Sequence, residues 1–213
     1  MTILKNYMQR LISHLIKEGY LKTPSLISAF YKIKREDFIR EKDRGQAAIN
    51  TPLSIGFSQT ISQPLTVAFM LELLQPRKGE KILDIGSGSG WQTALLAEIV
   101  GLGGKVYAVE RINELFEFGR NNVRRYNFIE KGVVEFYCRD GIDGLAEKAP
   151  FDKIICAAST EKLPQAWKEQ LKINGRIVAP INESIWLFIK RGKAQFEEIE
   201  FPGFVFVPLI RGE

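Results

Sequence analysis

The sequence has 213 residues, of which 45% are hydrophobic and 26% are charged, and its formal net charge is +5. This composition is typical of a globular protein, and no apolar run reaches the ~18 residues that indicate a membrane span. Collagen, coiled-coil, membrane-protein and disordered classes are therefore excluded. Charged residues interrupt every apolar stretch near the beginning, so we expect no secretory signal and a cytoplasmic location.

The positive charge comes entirely from residues 1–50, which carry ten basic and five acidic side chains. Such a segment can contact RNA or an acidic partner, but its interleaved acids favour a solvated helical face. Cys138 and Cys156 stand far apart, so we expect neither a metal-binding pair nor a disulfide. The single histidine, His14, excludes a multi-histidine metal site and a Ser–His or Cys–His mechanism built from core motifs. We predict no metal site.

The first elements of the chain are predicted to be helical. Apolar residues at three- and four-residue spacing predict an amphipathic helix that ends at Gly19. Its apolar stripe consists of Ile3, Leu4, Tyr7, Met8, Leu11, Ile12, Leu15 and Ile16. A second helix is predicted after Pro24. Residues 40–63 are polar, small and Gly-containing, so they predict a long loop of the kind that is often functional.

From Pro64 onwards the sequence alternates between helical and strand-like stretches. Pro64 itself suits the first position of a helix. Strands are predicted at 81–85, 105–110, 133–138, 153–157, 175–180, 185–190 and 204–208, and helices at 91–100, 112–126 and 164–171. Repeated strand–helix units predict an α/β fold, with a doubly wound, mostly parallel sheet and helices on both faces. The last strands have short connections, so we expect an antiparallel edge.

The sharpest local signal is the sequence DIGSGSG at residues 84–90, between an apolar strand and a helix. Glycines permit a tight turn and let a ligand approach the backbone, and such ligands lie at the carboxyl ends of the strands. Glu110 ends the next strand, where its carboxylate can accept both hydrogen bonds of a ribose diol. Asp84 would repel a pyrophosphate but suits a cationic ligand, so the pattern favours S-adenosylmethionine over NAD. An interpretation in which these residues only shape a turn stays open.

A second candidate motif, Arg139-Asp140-Gly141, follows the third predicted strand. An acid at that place can meet the amino group of an adenine. The same three residues are also common in turns, so the motif indicates a nucleoside only together with the glycine loop.

With these motifs, the sequence resembles the protein-L-isoaspartate O-methyltransferase family of class I S-adenosylmethionine-dependent methyltransferases, from about Leu11 to Leu209. Residues 82–97 are similar to the family's cofactor loop. Residues 52–64, PLSIGFSQTISQP, are similar to its far more specific signature segment, and residues 206–209 to a C-terminal strand that helps close over the substrate. The resemblance implies a Rossmann-like, seven-stranded sheet with an N-terminal helical extension and an antiparallel C-terminal edge.

The resemblance also implies the domain organisation and the activity. Residues 1–213 are expected to form one domain, with a helical extension (1–45), a substrate loop (46–63) and a cofactor-binding core (64–213). The implied reaction transfers a methyl group from S-adenosyl-L-methionine to the free α-carboxylate of an L-isoaspartyl residue in a damaged protein, leaving S-adenosyl-L-homocysteine. The methyl ester would re-form a succinimide, which repairs the protein. No obligatory nucleic acid and no membrane are expected as partners, and a monomer is favoured.

Ser62 falls on the family's active-site serine, and a larger set is expected to bind the cofactor or the peptide. The cofactor set is Thr60, Ile61, Ser62, Gln63, Asp84, Gly86, Ser87, Gly88, Gly90, Glu110, Arg111, Asp140 and Gly141, and the peptide set is Ile55, Gly56, Gln59 and Val207. The sequence departs from the family pattern at Ser58, where glycine is usual, at Ala48, where an aromatic residue is usual, and at Asn50, where an acid is frequent.

The implied chemistry requires no strong base, because a carboxylate with a reference pKa of roughly 3.3–3.9 is already ionised at neutral pH. Catalysis is expected from alignment and water exclusion, with the Ser62 hydroxyl orienting one carboxylate oxygen. Capping of the helix at Pro64 is an alternative role for Ser62. The alternatives for the whole protein are a methyltransferase acting on RNA or a small molecule, a cofactor-binding protein without catalysis, and an NAD oxidoreductase.

Overall fold

The computed structural model describes residues 2–210, with side chains described from Tyr7 onwards. The helices are α1 (Thr2–Lys17), α2 (Pro24–Lys32), α3 (Pro64–Leu74), α4 (Trp91–Val100), α5 (Asn113–Arg124) and α6 (Gln165–Gln170). The strands are β1 (Leu53–Gly56), β2 (Gln59–Ile61), β3 (Lys81–Ile85), β4 (Lys105–Glu110), β5 (Val134–Cys138), β6 (Phe151–Cys156), β7 (Leu171–Ile181), β8 (Ser184–Lys190) and β9 (Phe196–Pro202). Short 3₁₀ turns occupy Arg35–Asp37, Glu41–Gln46 and Ala146–Lys148.

Seven strands form one sheet in the order β5-β4-β3-β6-β7-β8-β9. The pairs from β5 to β7 are parallel, whereas β8 pairs antiparallel with both β7 and β9. The predicted doubly wound, mostly parallel sheet with an antiparallel C-terminal edge is therefore confirmed. The chain runs outwards from β3 to β5 and then returns to β6 on the other side of β3. This change of direction opens a crevice at the carboxyl ends of the central strands.

The central strands are apolar on both sides because helices cover both faces of the sheet. Successive side chains of a strand point to opposite faces. In β3, Ile82 belongs to the core under α3 and α4, and the next residue, Leu83, belongs to the core around Trp167 of α6. Ile154 and Ile155 of β6 divide in the same way. The two cores hold β3 and β6 rigidly, which fixes the loops that follow them.

The N-terminal helices pack against the first of these cores. Leu11, Ile12 and Leu15 of α1 are buried, which confirms that part of the predicted stripe. Tyr7 and Ile16 are 52% and 36% exposed, so the prediction is wrong for these two side chains. Ile3 and Leu4 lie outside the described side chains. Within residues 2–210, no helix is both long enough and apolar enough to cross a membrane.

Two sequence predictions for the connecting segments are wrong. Residues 40–63 are not one long loop, because they contain the 3₁₀ turn Glu41–Gln46 and the antiparallel hairpin of β1 and β2. The last strand is β9, and residues 204–208 are extended with only one bridge, between Pro208 and Ser159. Strand β9 was missed because it lies at the sheet edge and is mostly exposed, so its sequence is glutamate-rich. The apolar side chain of Phe204, which contributed to the strand prediction, instead stacks on Phe69, with the ring centroids 5.3 Å apart.

Candidate active site

The glycine turn after β3 forms one wall of a cavity at the carboxyl ends of β3, β4 and β6. Gly86 and Gly88 line this cavity. Gly86, Gly88 and Gly90 all have positive φ, at +72°, +48° and +84°, which L side chains rarely adopt. A Cβ atom on Gly90 would come within 2.7 Å of the Gly119 carbonyl oxygen. The predicted tight turn is therefore confirmed, and Gly90 also lets helix α5 approach, whereas approach of a ligand to the backbone stays a prediction.

Helix α5 holds this turn from the outside, through two residues that the sequence analysis did not single out. A Cβ atom on Gly119 would lie 2.5 Å from the carbonyl oxygen of Gly88, so only glycine lets the helix come this close. The Asn122 Nδ2 atom donates a hydrogen bond of 3.0 Å to the carbonyl oxygen of Ser89. A glycine inside a helix, three residues before a position with a buried amide, is the weak sequence signal that was available.

The Glu110 carboxylate stands at the end of β4 and lines the same cavity. Its Oε2 atom accepts a 3.0 Å hydrogen bond from the Gly88 backbone N–H, and its Oε1 atom accepts one of 3.0 Å from Ile112 N–H. A carboxylate oxygen has more than one lone-pair site. The fixed carboxylate therefore keeps acceptor capacity for ligand hydroxyl groups.

We call this cavity the cofactor-side cavity after its predicted ligand. Its other walls come from the ends of neighbouring strands and from the hairpin. They are formed by Ile55, Gln59, Thr60, Arg111, Ile112, Leu115, Arg139, Gly141, Ala157, Ala158, Val207, Pro208, Leu209 and Ile210, among others. The sequence-predicted Thr60, Gly86, Gly88, Glu110, Arg111 and Gly141 are thus brought together. Ala157 and Ala158 were missed, although their position directly after β6 is the available signal.

Asp84 does not line the cavity, contrary to its expected role beside a cationic ligand. Its side chain is completely buried below the glycine turn. Its Oδ1 atom accepts a 2.8 Å hydrogen bond from Gln92 Nε2, and its Oδ2 atom accepts one of 2.6 Å from the Thr93 hydroxyl. Burial raises the pKa of Asp84 to about 6. Asp84 therefore ties the end of β3 to the first turn of α4, and its influence on a ligand is indirect.

Four more of the predicted cofactor residues do not line the cofactor-side cavity. Ile61 lies in the hydrophobic core, and Gly90 packs against α5. The Oδ1 atom of Asp140 accepts a 2.9 Å hydrogen bond from Ile142 N–H, as in the turn alternative for that motif. The Ser87 hydroxyl is buried without a hydrogen-bond partner. For these four residues, contact with the cofactor stays a prediction.

A second cavity adjoins the first, and Ser62 lines it together with Gln63. The two cavities share Thr60, Ala157 and Val207, so they meet along one wall. The apolar segment 203–207 also lines this second cavity, which we call the acceptor-side cavity after its predicted ligand. Ser62 and Gln63, which are predicted to bind the cofactor, line this second cavity and are absent from the lining of the first, so their contact with the cofactor stays a prediction.

The alternative role of Ser62 as a helix cap is wrong. Gln63 occupies the cap position of α3 and makes no side-chain cap bond. The Oδ1 atom of Asn50 instead accepts a 2.9 Å hydrogen bond from Leu65 N–H at the start of the helix. The departure from the family pattern at Asn50 therefore has a structural use. Ser62, which is partly buried, is among the residues that line the cavity.

The hairpin of β1 and β2 brings the predicted peptide residues to the rim of the cavities. Ile55, Gln59 and Val207 line the cofactor-side cavity, whereas Gly56 does not. Gly56 lies against the guanidinium of Arg40, where a Cβ atom would be only 1.9 Å from Nη2.

The turn of this hairpin contains Phe57 and Ser58, both with left-handed φ, at +52° and +56°. Such φ values are those of tight hairpin turns, in which glycine or asparagine is preferred. The glycine that is usual in the family at the position of Ser58 would fit this turn without strain.

Arg35 is the main site-building residue that sequence reasoning missed. It is fully buried, and its guanidinium donates hydrogen bonds to carbonyl oxygens of the segment that leads to Ser62.

No group of three or more His, Cys, Asp or Glu side chains in residues 2–210 is arranged to hold a metal ion. Both cysteines are free, and Cys156 is buried.

Comparison with known proteins assigns the chain to a family. A family model described as protein-L-isoaspartate(D-aspartate) O-methyltransferase (PCMT) matches residues 6–213. The chain belongs to the PCMT family. A protein-L-isoaspartate O-methyltransferase of Methanopyrus kandleri is 37% identical over 99% of this chain and 94% of its own length. One from Aeropyrum pernix is 41% identical over 94% of this chain and 78% of its own length.

Solved structures agree with the fold of the family. A PCMT structure from Plasmodium falciparum, in complex with S-adenosyl-L-homocysteine, has a TM-score of 0.85 at 24% identity, and covers 95% of this chain and 98% of that one. A second protein-L-isoaspartate O-methyltransferase has a TM-score of 0.84 at 28% identity, and covers 94% of this chain and 65% of that one. The doubly wound sheet is therefore of the Rossmann-like methyltransferase type.

Proposed function

We propose that this member of the PCMT family transfers a methyl group from S-adenosyl-L-methionine to the free α-carboxylate of L-isoaspartyl residues in damaged proteins and peptides. The observation that carries the proposal is the pair of adjoining cavities. One has the glycine turn and Glu110 in its wall, and the other has Ser62. Two cavities with a shared wall suit a reaction in which a donor and an acceptor must meet.

The residues of the cofactor-side cavity fit S-adenosyl-L-methionine. Its ribose hydroxyls have acceptors in the Glu110 carboxylate, which the backbone N–H groups of Gly88 and Ile112 hold in place. Thr60 and Gly141 would contribute further walls. The buried Ser87 hydroxyl has no partner in the protein, so it can serve a polar group of the ligand after a small shift. When bound, S-adenosyl-L-methionine supplies a methyl group that its positively charged sulfur activates.

Ser62 is proposed to orient the acceptor. An isoaspartyl carboxylate is ionised at neutral pH, so the chain has no proton to remove. The only histidine, His14, lies on α1 with an exposed side chain and is not among the residues that line either cavity. A Ser62 hydroxyl that donates to one carboxylate oxygen would leave the other oxygen aimed towards the cofactor-side cavity. Ser62 acts in this scheme as a hydrogen-bond donor and not as a nucleophile.

Exclusion of water is proposed as the second contribution of the site. Charge is neutralised when a carboxylate attacks a cationic methyl donor, so water would stabilise the reactants more than the transition state. Phe204, Val205, Phe206 and Val207 form an apolar wall of the acceptor-side cavity. With a peptide in place, this wall and the hairpin would displace water from the carboxylate.

We also propose that residues 46–63 are the substrate segment, with Ile55, Gly56 and Gln59 beside the peptide, and that residues 64–213 bind the cofactor. The hairpin position of Ile55 and Gln59 on the cavity rim supports this division. A cytoplasmic location is proposed as well, since the free thiols of Cys138 and Cys156 suit a reducing compartment. The expected substrates are proteins and peptides, without nucleic acid, and a monomer suffices for the site.

The test is transfer of a tritiated methyl group to an isoaspartyl peptide, to the same peptide with a normal aspartyl residue, and to bulk RNA. We expect base-labile label on the isoaspartyl peptide alone. Label on RNA, or equal label on the two peptides, would contradict the proposed acceptor. No label on any acceptor, while S-adenosyl-L-homocysteine still binds, would favour a cofactor-binding protein without catalysis.

A further inference from the structure

The guanidinium of Arg35 is the hub of the segment that precedes Ser62. Arg35 is 0% exposed. Its Nη1 atom donates to the carbonyl oxygens of Ala47 at 3.1 Å and Ile49 at 3.0 Å. Its Nη2 atom donates to those of Thr51 at 2.8 Å and Ser62 at 3.2 Å. One side chain therefore holds both ends of the segment 47–62.

This arrangement is unusual because a buried cation is normally paired with an acid. No carboxylate of residues 2–210 forms an ion pair with Arg35, although Glu36 and Asp37 follow it in the sequence. Burial lowers the pKa of Arg35 to about 10, so the group is still charged at neutral pH. Among the described residues, the charge is balanced by carbonyl dipoles of the segment and by one aromatic ring. The four carbonyl groups must therefore stay turned inwards, and this constrains the path of the backbone.

The guanidinium also contacts the beginning of helix α4, next to the glycine turn. It lies 5.6 Å from the ring centroid of Trp91, in a cation–π contact. Trp91 is the first residue of α4 and directly follows Gly90 of the glycine turn. The Trp91 Nε1 atom also donates a 3.4 Å hydrogen bond to the carbonyl oxygen of Ile33. Arg35 thus stands between the glycine turn and the segment that ends at Ser62.

We propose that Arg35 is a positioning residue, which fixes the position of the segment 47–62, and of Ser62 at its end, relative to the glycine turn. The inference rests on the proposed function only in its kinetic part, because the ordering of the segment is a property of the chain itself. Lysine cannot replace this arginine, since a single ammonium group with three donors cannot reach four carbonyl oxygens that are distributed around a planar fork.

Hydrogen–deuterium exchange tests the ordering of the segment without any activity. For Arg35→Lys we expect amides of residues 47–62 to exchange at least tenfold faster, while those of residues 82–91 keep their rates. Arg44→Lys is the matched control, because Arg44 is exposed and pairs with Glu41 and Asp37. Unchanged exchange in residues 47–62 of the Arg35 variant would overturn the proposal.

Arg35→Gln is a second variant that removes the buried charge and keeps two donors, and the same pattern of exchange is expected for it. If both Arg35 variants unfold completely, while Arg44→Lys does not, Arg35 supports the whole fold and the proposed local role is wrong.

A double-mutant cycle with Ser62 tests the link to catalysis. With an isoaspartyl peptide, Arg35→Lys should lower kcat at least tenfold and change the KM for S-adenosyl-L-methionine less than threefold. In a Ser62→Ala background the same substitution should lower kcat less than twofold, because the oriented hydroxyl is already missing. An equal loss in both backgrounds would overturn the proposal. Absence of methyl transfer by the wild-type chain would instead overturn the proposed function, and the exchange experiment would still decide the role of Arg35.

Discussion

The two sides of the site are built by different means. The cofactor side is formed by regular structure, since the glycine turn connects β3 to α4 and Glu110 ends β4. Its backbone is held by neighbouring strands and by Gly119 and Asn122 of α5. The acceptor side is a short hairpin and an irregular segment, which depend on hydrogen bonds that the Arg35 guanidinium donates and on one that the Asn50 Oδ1 atom accepts. The comparison suggests that donor binding follows from the fold, whereas acceptor alignment depends on a few side chains.

The largest expected effect is on the cofactor side, for Glu110→Ala. Loss of two hydrogen bonds to a charged acceptor, at about 1.5 kcal/mol or more each, should weaken binding of S-adenosyl-L-homocysteine at least ~100-fold. Isothermal titration calorimetry measures this directly. Glu114→Ala, an exposed acid in the next helix, is the control and should bind normally. Equal affinities of the two variants would show that Glu110 is not a cofactor ligand.

Asp84→Asn tests the buried carboxyl group on the same side, through the pH dependence of the free energy of unfolding. The pKa of Asp84 is raised by burial to about 6 from a reference of 3.8. Between these two pH values the folded chain therefore holds a proton that the unfolded chain has lost. The contribution of this group to the free energy of unfolding is therefore full below pH ~4 and falls as the pH rises through 6. The fall is at most about 3 kcal/mol.

Urea unfolding of the wild type and of Asp84→Asn between pH 4.5 and pH 7 measures this effect. The variant should lack about 2 kcal/mol of the decrease that the wild type undergoes in this interval. Parallel pH profiles for the two proteins would contradict the assigned burial of a carboxyl group with a raised pKa.

On the acceptor side, Ser62→Ala should lower methyl transfer to an isoaspartyl peptide at least tenfold, because one oriented hydrogen bond is lost. The affinity for S-adenosyl-L-homocysteine should change little, since Ser62 lines the acceptor-side cavity and is absent from the lining of the cofactor-side cavity. Ser28→Ala, on the exposed face of α2, is the control. An unchanged rate for Ser62→Ala would remove Ser62 from the mechanism.

The smallest expected effect is on the hairpin turn. Ser58→Gly removes a left-handed strain of about 1–2 kcal/mol but adds unfolded-state entropy of about 0.4–1 kcal/mol, so a net gain of about 0.5 kcal/mol is expected. Ser28→Gly, inside α2, should lose stability instead. Thermal unfolding of both variants measures the two signs, and a loss of stability in Ser58→Gly would contradict the turn geometry.

The core of the fold was accessible from sequence because local pattern and tertiary position agree there. Strand β3, the glycine turn and helix α4 were predicted with their observed bounds, since an apolar run, glycines with positive φ and an apolar helix follow one another. Strand β9 was not accessible, because an exposed edge strand has no apolar alternation to detect. The bounds of α5 differed by one or two residues at its ends.

The site was only partly accessible, because sequence spacing does not say which side chain points into a cavity. Glu110 was placed correctly in the cavity wall, whereas Asp84 is turned below the turn towards Thr93. The role of Arg35 was not predicted, since its partners are carbonyl groups, which every residue has. A buried arginine without an acid leaves no charge pattern in the sequence, so only the folded chain identifies it.

We expect the donor and the acceptor to occupy the adjoining cavities, with Glu110 on one side and Ser62 on the other. The most direct measurement is a crystal structure of the chain with S-adenosyl-L-homocysteine and an isoaspartyl peptide. We expect the Glu110 carboxylate within hydrogen-bond distance of both ribose hydroxyls, and the Ser62 hydroxyl within hydrogen-bond distance of the acceptor carboxylate. A ribose that does not contact Glu110, or a peptide carboxylate outside the cavity of Ser62, would contradict the account.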